Sequence, residues 1–457
     1  MEAGRERWGS KFGFLAAAVG AAIGLGNIWG FPYRMGENGG FAFLLVYVAL
    51  TAVAGIPMLA CELAIGRMTR SGADGAFRAL SKRFRYVGLL AVGAAFLVTG
   101  FYNVLGGYCV RYFVFNLTAL LGANMPDAEA AFESFVLDTR QVSVYSAVFA
   151  AAVLAIVSFG VSGGIEKFSK FAMPALTLLL VAVVIRALTL DGAEEGLRFM
   201  FDPDLTPLIE DPLGVITTAG EQMFFSLSLG VGCMIIYGSY LPSGENIMRS
   251  ATVIAVVDGA TALLAGMAVL PAAFALGGEG AQMSGPALLF VTMQRVFDEM
   301  GRAGAAFGVL FYALTVAAAV SSGVSFVEVA VSFAVERAAP RRVNRTAAAA
   351  VATAASMLLS LLVASDALGL AESTAPFGGS WMAVVDITAE GIMIPLCSLC
   401  TALAAAYELK PERIEREIER GGGKIGRKGL FRFALRVAAP AVMLIVLWGQ
   451  IQNIVNS

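Results

Sequence analysis

The sequence contains no histidine and few charged residues. Asp, Glu, Lys and Arg make up only 14% of its 457 residues. Without imidazole there is no serine–histidine catalysis, no histidine-ligated metal and no histidine proton relay. The sparse charge is not typical of a soluble domain, and a net charge of −2 indicates no nucleic-acid partner. No motif indicates an organic cofactor or catalysis, so we expect a protein that is not an enzyme.

Cysteine is also rare, and all five cysteines lie in apolar segments. They are Cys61, Cys109, Cys233, Cys397 and Cys400. Cys397 and Cys400 form a CxxC motif, but no second pair completes a zinc site. We interpret them as small packing residues on one helix face, with a metal or redox site as the less favoured alternative.

Long apolar segments dominate the chain instead. Hydrophobic residues make up 58% of it, which is typical of a protein that crosses a lipid bilayer several times. The segments of spanning length are 12–36, 41–66, 86–121, 142–160, 168–190, 214–240, 251–277, 304–335, 346–364, 378–407 and 431–453. The first is too long for a cleaved signal peptide and has no cleavage site. We predict an all-α polytopic membrane protein with about eleven transmembrane helices.

The loops between these segments alternate in charge. Basic residues precede the first segment and follow the second, fourth, sixth, eighth and tenth, whereas the loops after the third and fifth are acidic. By the positive-inside rule, this pattern predicts a cytoplasmic N-terminus, and an odd number of spans places the C-terminus outside. The inner (plasma) membrane is the expected location. The segment 408–430 is expected to be a cytoplasmic connector with a short charged helix.

Two of the apolar segments contain residues that interrupt helices. Residues 20–32 read GAAIGLGNIWGFP, with four glycines, Asn27 and Pro32 inside one predicted span. Residues 222–232, in the sixth segment, read QMFFSLSLGVG, with two serines and two glycines. One such segment would be explained by close helix packing. Two of them, five spans apart, are typical of an inverted-repeat transporter whose broken helices line a site at the midplane.

The backbone at these breaks suits a small cation and a carboxylate. Gly24 and Gly26 let the chain open and approach a ligand, and Asn27 adds a side-chain oxygen. Freed carbonyl groups bind cations, while the N-termini of half-helices attract a carboxylate.

Within one transporter domain over 1–457, the predicted parts are two five-helix halves at 12–190 and 214–407, the connector 408–430 and an eleventh helix at 431–453.

Motifs along nearly the whole chain resemble those of one family. They are RERW (5–8), GAAIGLGNIWGFPY, ENGG (37–40), GIPMLACELAIGR (55–67), GIEKFSKFAMP (164–174), FFSLSLGVG, AVSSGVSFVE (319–328) and EREIERGGGKIG (415–426). On these motifs the sequence resembles a bacterial neurotransmitter:sodium symporter of the leucine-transporter fold. The resemblance implies sodium-coupled uptake of an amino acid by alternating access, and eleven spans resemble its many bacterial members.

The same resemblance implies two sodium sites beside the amino acid. The first would use the Ala22 carbonyl, Asn27, Ser226 and Asp258, with the substrate carboxylate completing it. The second would use the carbonyls of Gly20, Ile23 and Ala318 and the hydroxyls of Ser321 and Ser322.

Asp258 also stands out without the resemblance, because a lone carboxylate within a span is a functional candidate. In family members that need chloride, the chloride ion is a counter-charge near the first sodium. A fixed carboxylate would make chloride unnecessary, so the resemblance implies chloride-independent transport. The alternative is a protonated Asp258 that only packs.

The substrate site is implied by the same comparison of motifs. Its residues would be Ala22, Gly24, Gly26, Val98, Tyr102, Phe225, Ser226, Ser228, Val231, Ser322 and Phe326. Tyr102 would bind the substrate carboxylate, and Phe225 would cover the site. Monoamine-type members carry Asp where this chain has Gly24, so the substrate must bring its own carboxylate. The mostly apolar wall favours a neutral amino acid.

A cytoplasmic gate is implied as well. Arg5, Trp8, Tyr240 and Glu336 resemble the family's inner latch, in which Asp often stands at the position of Glu336. In the fifth span, Gly164 and Pro174 have the spacing of a segment that unwinds to admit cytoplasmic water. Glu62 resembles a carboxylate that braces the broken helices.

The outer gate departs from the family pattern. Gly30 stands where the family usually has Arg or Lys, although the acidic partner remains as Asp386. Arg34 lies one helical turn further on, and we expect it to reach Asp386, directly or through water. Glu221 and Glu390 are also unusual. They are either solvated vestibule residues or functional ones, and an acidic vestibule makes a cationic amino acid an alternative substrate.

Two other interpretations remain open. A proton-coupled or exchange carrier on the same fold would explain the extra carboxylates, but not the Ser321–Ser322 pair beside Asn27. A substrate-sensing receptor would usually carry a large signalling domain, which this sequence does not show. The exact amino acid, the ion stoichiometry and the oligomeric state stay open at this point.

Overall fold

A computed structural model describes residues 6–124, 126–277, 288–300, 302–338, 343–376 and 379–456. Every regular element within these ranges is a helix. The prediction of an all-α polytopic fold is therefore confirmed.

The helices follow the predicted segments. The five spans of the first half comprise Lys11–Ala22 with Gly26–Gly30 and Phe31–Glu37, then Phe41–Leu50 with Thr51–Gly55 and Ile56–Thr69, Val87–Leu120, Thr139–Ser158, and Val161–Ile165 with Glu166–Ala187. The next five comprise Pro212–Ser226 with Cys233–Ser239, then Ile247–Gly277, Arg302–Ala338, Arg345–Ala364, and Trp381–Asp386 with Ile387–Met393, Ile394–Leu403 and Ala404–Glu408. The last span comprises Lys428–Phe433, Ala434–Ala438 and Ala439–Asn456.

Shorter helices lie between the spans. They are Ala73–Leu80, Ala128–Leu137, Ala193–Phe201, Thr206–Glu210, Leu288–Thr292, Met293–Glu299, Ala367–Gly369 and Pro411–Arg420. The last is the charged helix expected in the connector, and it buries Ile414 and Ile418.

Two spans are broken, as the glycine-rich segments predicted. Over the described ranges, nine helices are long and apolar enough to cross a membrane, and the pair Lys11–Ala22 and Gly26–Glu37 adds a tenth crossing, bent by 50°. The sixth span consists of Pro212–Ser226, with 15 residues, and Cys233–Ser239, with 7. Neither half alone has the ~20 residues that a crossing needs.

The first span can break because its freed backbone groups find partners in other elements. Ile23 is extended, with φ −76° and ψ 106°. Asn27 Oδ1 accepts the Gly24 N–H at 3.1 Å, and the Tyr102 hydroxyl accepts the Leu25 N–H at 3.0 Å. Unpaired amides are costly where water cannot reach them, so these two bonds make the break tolerable.

The break in the sixth span requires left-handed backbone. Ser228, Gly230 and Gly232 have φ values of 51°, 76° and 83°, which glycine adopts readily and serine does not. Ser228 Oγ donates to the Ala21 carbonyl at 2.9 Å, and the Gly230 N–H donates to Glu62 Oε1 at 2.9 Å. Glu62 thus lies against the broken span, as its motif indicated.

The third and eighth spans hold the broken helices in place. They make the most extensive contact of any two helices in the described structure. The third carries Tyr102, and the eighth carries Ser321 and Ser322, all of which are buried. These side chains face the break in the first span, which positions the site.

Candidate functional site

Buried polar side chains from three spans meet at the first break. Asn27 Nδ2 donates to Ser226 Oγ at 3.1 Å and to Asp258 Oδ1 at 2.7 Å, and Ser226 Oγ donates to Asp258 Oδ2 at 2.8 Å. None of the three is more than 1% exposed. The structure therefore brings together the three side chains predicted for the first sodium site. Ala22, whose carbonyl was predicted for the same site, is buried at the end of Lys11–Ala22, just before the break.

A second oxygen-rich group lies between the first and eighth spans. Ser322 Oγ lies 3.3 Å from the Gly20 carbonyl oxygen and 3.2 Å from that of Ile23. Ser321 Oγ lies 2.8 Å from the Ala318 carbonyl oxygen and 3.4 Å from that of Ile23. All five residues predicted for the second sodium site are thus in one place.

Both groups offer the ligands that a hard cation prefers. They consist of carbonyl, hydroxyl, amide and carboxylate oxygens, without sulfur. A serine hydroxyl that turns its proton away presents a lone pair, so the same atoms can coordinate an ion.

The two glycines at the break let side chains of other spans approach the backbone more closely than a Cβ would allow. A Cβ on Gly24 would lie 2.7 Å from the Tyr102 hydroxyl, and a Cβ on Gly26 would lie 2.7 Å from the Phe225 ring. The Tyr102 and Phe326 rings meet edge to face, with centroids 5.4 Å apart. The other residues predicted for this wall are also buried, namely Val98, Ser228, Val231 and Ser322. Aromatic rings therefore pack directly beside the unwound backbone, and we name the region between them the cleft.

An open pocket of about 570 Å³, which we name the vestibule, adjoins this cleft across Phe225. Its charged lining residues are Arg34, Asp386 and Glu390. Arg34 donates to Gln222 Oε1 at 2.5 Å and lies 3.6 Å from Glu390 Oε2 and 3.8 Å from Glu221 Oε1.

These contacts bear on the expected outer gate. In the described structure, Arg34 forms ion pairs with Glu390 and Glu221, and its contact with Asp386, directly or through water, stays a prediction. Both glutamates whose orientation the sequence left open therefore face Arg34.

The N-terminal segment closes the opposite face of the cleft. The Trp8 indole lies edge-on to Tyr240, with centroids 6.1 Å apart. Glu336 accepts the Gly72 N–H at 2.7 Å. Arg5, the fourth residue of the expected latch, lies outside the described residues.

Further charged residues, which the sequence analysis did not single out, also hold the N-terminal segment in place. The Tyr240 hydroxyl donates to Glu328 Oε1 at 2.7 Å, and Arg345 forms an ion pair with the same carboxylate. Arg345 also lies 3.5 Å from Glu6. We name this set, Glu6, Trp8, Tyr240, Glu328 and Arg345, the inner clasp. Glu328 is fully buried in the eighth span. In the sequence, the feature that could have indicated its role was a lone carboxylate within an apolar segment.

Two further residues were missed near the first ion group. The Tyr47 hydroxyl donates to Asp258 Oδ2 at 3.3 Å. Gln222 Nε2 donates to the Gly26 carbonyl at 2.8 Å and so connects Arg34 to the unwound backbone. An amide inside a span was a usable signal for Gln222, whereas a tyrosine in an apolar segment gives none.

Comparison with known proteins relates the whole chain to transporters. A family model described as the sodium:neurotransmitter symporter family matches residues 5–134 and 136–457. A Bacillus subtilis (strain 168) protein described as the uncharacterized sodium-dependent transporter YhdH is 34% identical over 448 residues, which is 96% of either chain.

Solved structures and animal relatives agree with this. The crystal structure of MhsT in complex with L-phenylalanine has a TM-score of 0.89 and 38% identity, and it covers 98% of this chain and 100% of that one. The Mus musculus sodium-dependent neutral amino acid transporter B(0)AT3 is 32% identical over 296 residues, 59% of this chain and 48% of its own. The similarity thus extends over the helices that carry both oxygen-rich groups.

Proposed function

This chain belongs to the sodium:neurotransmitter symporter family, and on that premise we propose that it takes up an amino acid together with sodium ions by alternating access. It is a multi-pass, sodium-dependent membrane transporter with the leucine-transporter fold. The two broken spans and their partners would rock against the remaining helices around the central cleft.

Two sodium ions are proposed, one in each oxygen-rich group. The observation that carries this proposal is the meeting of Asn27, Ser226 and Asp258 on one side of the unwound backbone and of Ser321 and Ser322 on the other. The substrate carboxylate would complete the first site. Each charge that crosses the membrane adds about 2.3 kcal/mol per 100 mV of membrane potential, so two ions supply a useful driving force.

A neutral amino acid is the proposed substrate. Its carboxylate would lie at the break, beside the Tyr102 hydroxyl and Gly24, where a larger residue has no room. Its side chain would lie among Val98, Phe225 and Phe326, which offer no charge. The phenylalanine bound to MhsT and the neutral amino acids named for B(0)AT3 support this class.

A sodium-dependent thermal shift tests the proposal. Purified protein would be screened with the twenty amino acids in sodium and in potassium. We expect one or more neutral amino acids to raise the melting temperature only in sodium, because a ligand that binds the folded state stabilises it. Ser321→Ala should weaken this shift, whereas Ser365→Ala, on an exposed helix end, should not. Equal stabilisation in both salts would favour a proton-coupled or exchange carrier instead.

Chloride independence is proposed from the position of Asp258. Its carboxylate is buried against Asn27, Ser226 and Tyr47, and in the ionised form it would place a fixed negative charge at the first sodium site. We expect uptake to be unchanged when gluconate replaces chloride, and Asp258→Asn to lose uptake in gluconate and regain part of it in chloride. Loss of wild-type uptake without chloride would contradict this role.

A cationic amino acid remains the second candidate substrate. The observation in its favour is that Asp386 and Glu390 line the vestibule together with Arg34, and that Glu221 lies 3.8 Å from Arg34. In the thermal screen, a larger shift with lysine or arginine than with leucine or phenylalanine would select this candidate.

We also propose the division into two five-helix halves and the orientation of the chain in the membrane. The halves are assigned to 12–190 and 214–407, and the N-terminus to the cytoplasm, from the alternating loop charge. Labelling of single cysteines introduced at 83 and at 133 with an impermeant reagent would test the orientation. We expect only position 133 to react in intact cells.

A further inference from the structure

A second pocket, of about 1330 Å³, lies between the end of the second span and the connector helix Pro411–Arg420. We name it the arginine pocket. Its charged lining residues are Arg67, Arg70, Arg413, Arg416, Arg420 and Glu417. Five arginines against one glutamate give its walls a formal charge of +4. No part of the proposed transport cycle uses these residues.

The single acid of the arginine pocket is already paired. Glu417 Oε1 accepts from Arg67 Nε at 2.7 Å, and Arg420 lies 3.8 Å from the other carboxylate oxygen. Arg413, Arg416 and Arg420 are exposed, three and four residues apart, on the face of the connector helix that is opposite its buried isoleucines. The positive charge of this face is therefore available to a ligand.

The chemistry of the pocket favours a phosphate group. A guanidinium presents a planar fork of N–H donors that matches phosphate oxygens, and several together suit a dianion or a phosphodiester. The second span ends at Thr69, so Arg70 stands where the chain leaves the apolar layer. Basic pockets at that depth bind the headgroups of anionic lipids.

We propose that the arginine pocket binds the phosphate group of an anionic ligand, supplied either by a membrane lipid headgroup or by free phosphate. Its wall is connected to the start of the first span. Arg67 Nη1 donates to the Glu245 carbonyl at 2.6 Å, and the Glu245 carboxylate lies 3.1 Å from Lys11 Nζ. A ligand held there would stabilise the closed arrangement of the N-terminal face.

The test compares two triple variants of the full-length chain in neutral detergent. In the pocket variant, Arg413→Gln, Arg416→Gln and Arg420→Gln remove the exposed charges. In the matched control, Lys82→Gln, Arg83→Gln and Arg249→Gln remove three exposed cations from the same face outside the pocket. Melting temperatures would be measured as phosphatidylglycerol or phosphatidylcholine is added in equal amounts.

Phosphatidylglycerol should raise the melting temperature of the wild type and the control, and phosphatidylcholine should not. We expect the pocket variant to bind phosphatidylglycerol about a hundredfold more weakly, from about fivefold for each arginine. Inorganic phosphate, added against sodium chloride of equal ionic strength, identifies the source. A shift with the lipid alone assigns the site to a headgroup, and a shift with phosphate as well assigns it to a free anion.

Three results would overturn the proposal. The wild type could show no preference for phosphatidylglycerol or phosphate. The pocket variant could retain the full shift. The control could lose it to the same extent, which would show that the general charge of the face, rather than the pocket, attracts the anion.

Discussion

The two faces of the molecule close the central cleft by different means. On the vestibule side, a single aromatic ring, Phe225, lies over Gly26, and one cation, Arg34, lies above it among carboxylates. On the N-terminal side, the inner clasp joins the N-terminal segment to the sixth, eighth and ninth spans through ion pairs, a hydrogen bond and edge-to-face rings. The cleft is thus covered by one ring and one cation on the vestibule side, whereas several spans are held together by non-covalent contacts on the N-terminal side.

The difference indicates how much each opening costs. A side chain such as Phe225 opens by a rotamer change, which takes little free energy because its pocket side is already open. Opening the N-terminal side must separate Glu6 from Arg345 and the Tyr240 hydroxyl from Glu328, which is fully buried, and a buried carboxylate that loses a hydrogen-bond donor is destabilised. We infer that this structure is closer to an outward-facing than to an inward-facing arrangement.

The largest effect is expected from breaking the inner clasp. Arg345→Ala leaves the Glu328 carboxylate buried with only the Tyr240 hydroxyl, at a cost of about 3 kcal/mol, or roughly a hundredfold in population. The N-terminal side should then open, and Cys233, which is fully buried in the sixth span, should become reactive. Thiol labelling of Cys233, followed by mass spectrometry, measures this. Arg345→Lys should restore most of the protection, and unchanged labelling in both variants would contradict the comparison.

A smaller effect is expected at the outer closure. Arg34→Gln removes the donor to Gln222 and the ion pairs with Glu390 and Glu221, which are partly solvated and together contribute about 1–2 kcal/mol. Bound substrate should dissociate about tenfold faster, without increased labelling of Cys233. Dissociation of a radiolabelled amino acid from purified protein measures this.

Glu221→Gln is the matched control for that experiment. It removes only one of the two ion-pair partners of Arg34, the one at 3.8 Å, and leaves Gln222 and Glu390 in place, so we expect less than about threefold faster dissociation. If Arg34→Gln behaved no differently from Glu221→Gln, Arg34 would not be part of the outer closure.

The sequence predicted the parts of the site that depend on backbone. One such segment can be explained by close helix packing, but glycines and polar residues within two spans indicate breaks, and a break dictates where carbonyl oxygens and N–H groups are freed. Two such segments therefore indicated the central cleft, and the family motifs supplied the side chains, such as Ser321 and Asp258, that the structure places beside it.

Long-range choices of partner were not predictable in the same way. Arg34 forms ion pairs with Glu390 and Glu221 and a hydrogen bond with Gln222, and these contacts join three spans that are far apart in the sequence. Likewise, Glu328 was visible as an intramembrane acid, but nothing in the sequence connects it to Arg345 across the loop between their helices.

The smallest effect is expected from adding a methyl group at Gly26, beneath the Phe225 ring. A Cβ on Gly26 would lie 2.7 Å from the Phe225 ring, so Gly26→Ala must displace the ring and should weaken sodium-dependent amino acid binding several-fold. Gly163→Ala is the control, because a Cβ there meets nothing within 4 Å. Isothermal titration of both variants in sodium separates the outcomes. Equal affinities would mean that the ring moves freely and that Arg34, rather than Phe225, limits escape to the vestibule.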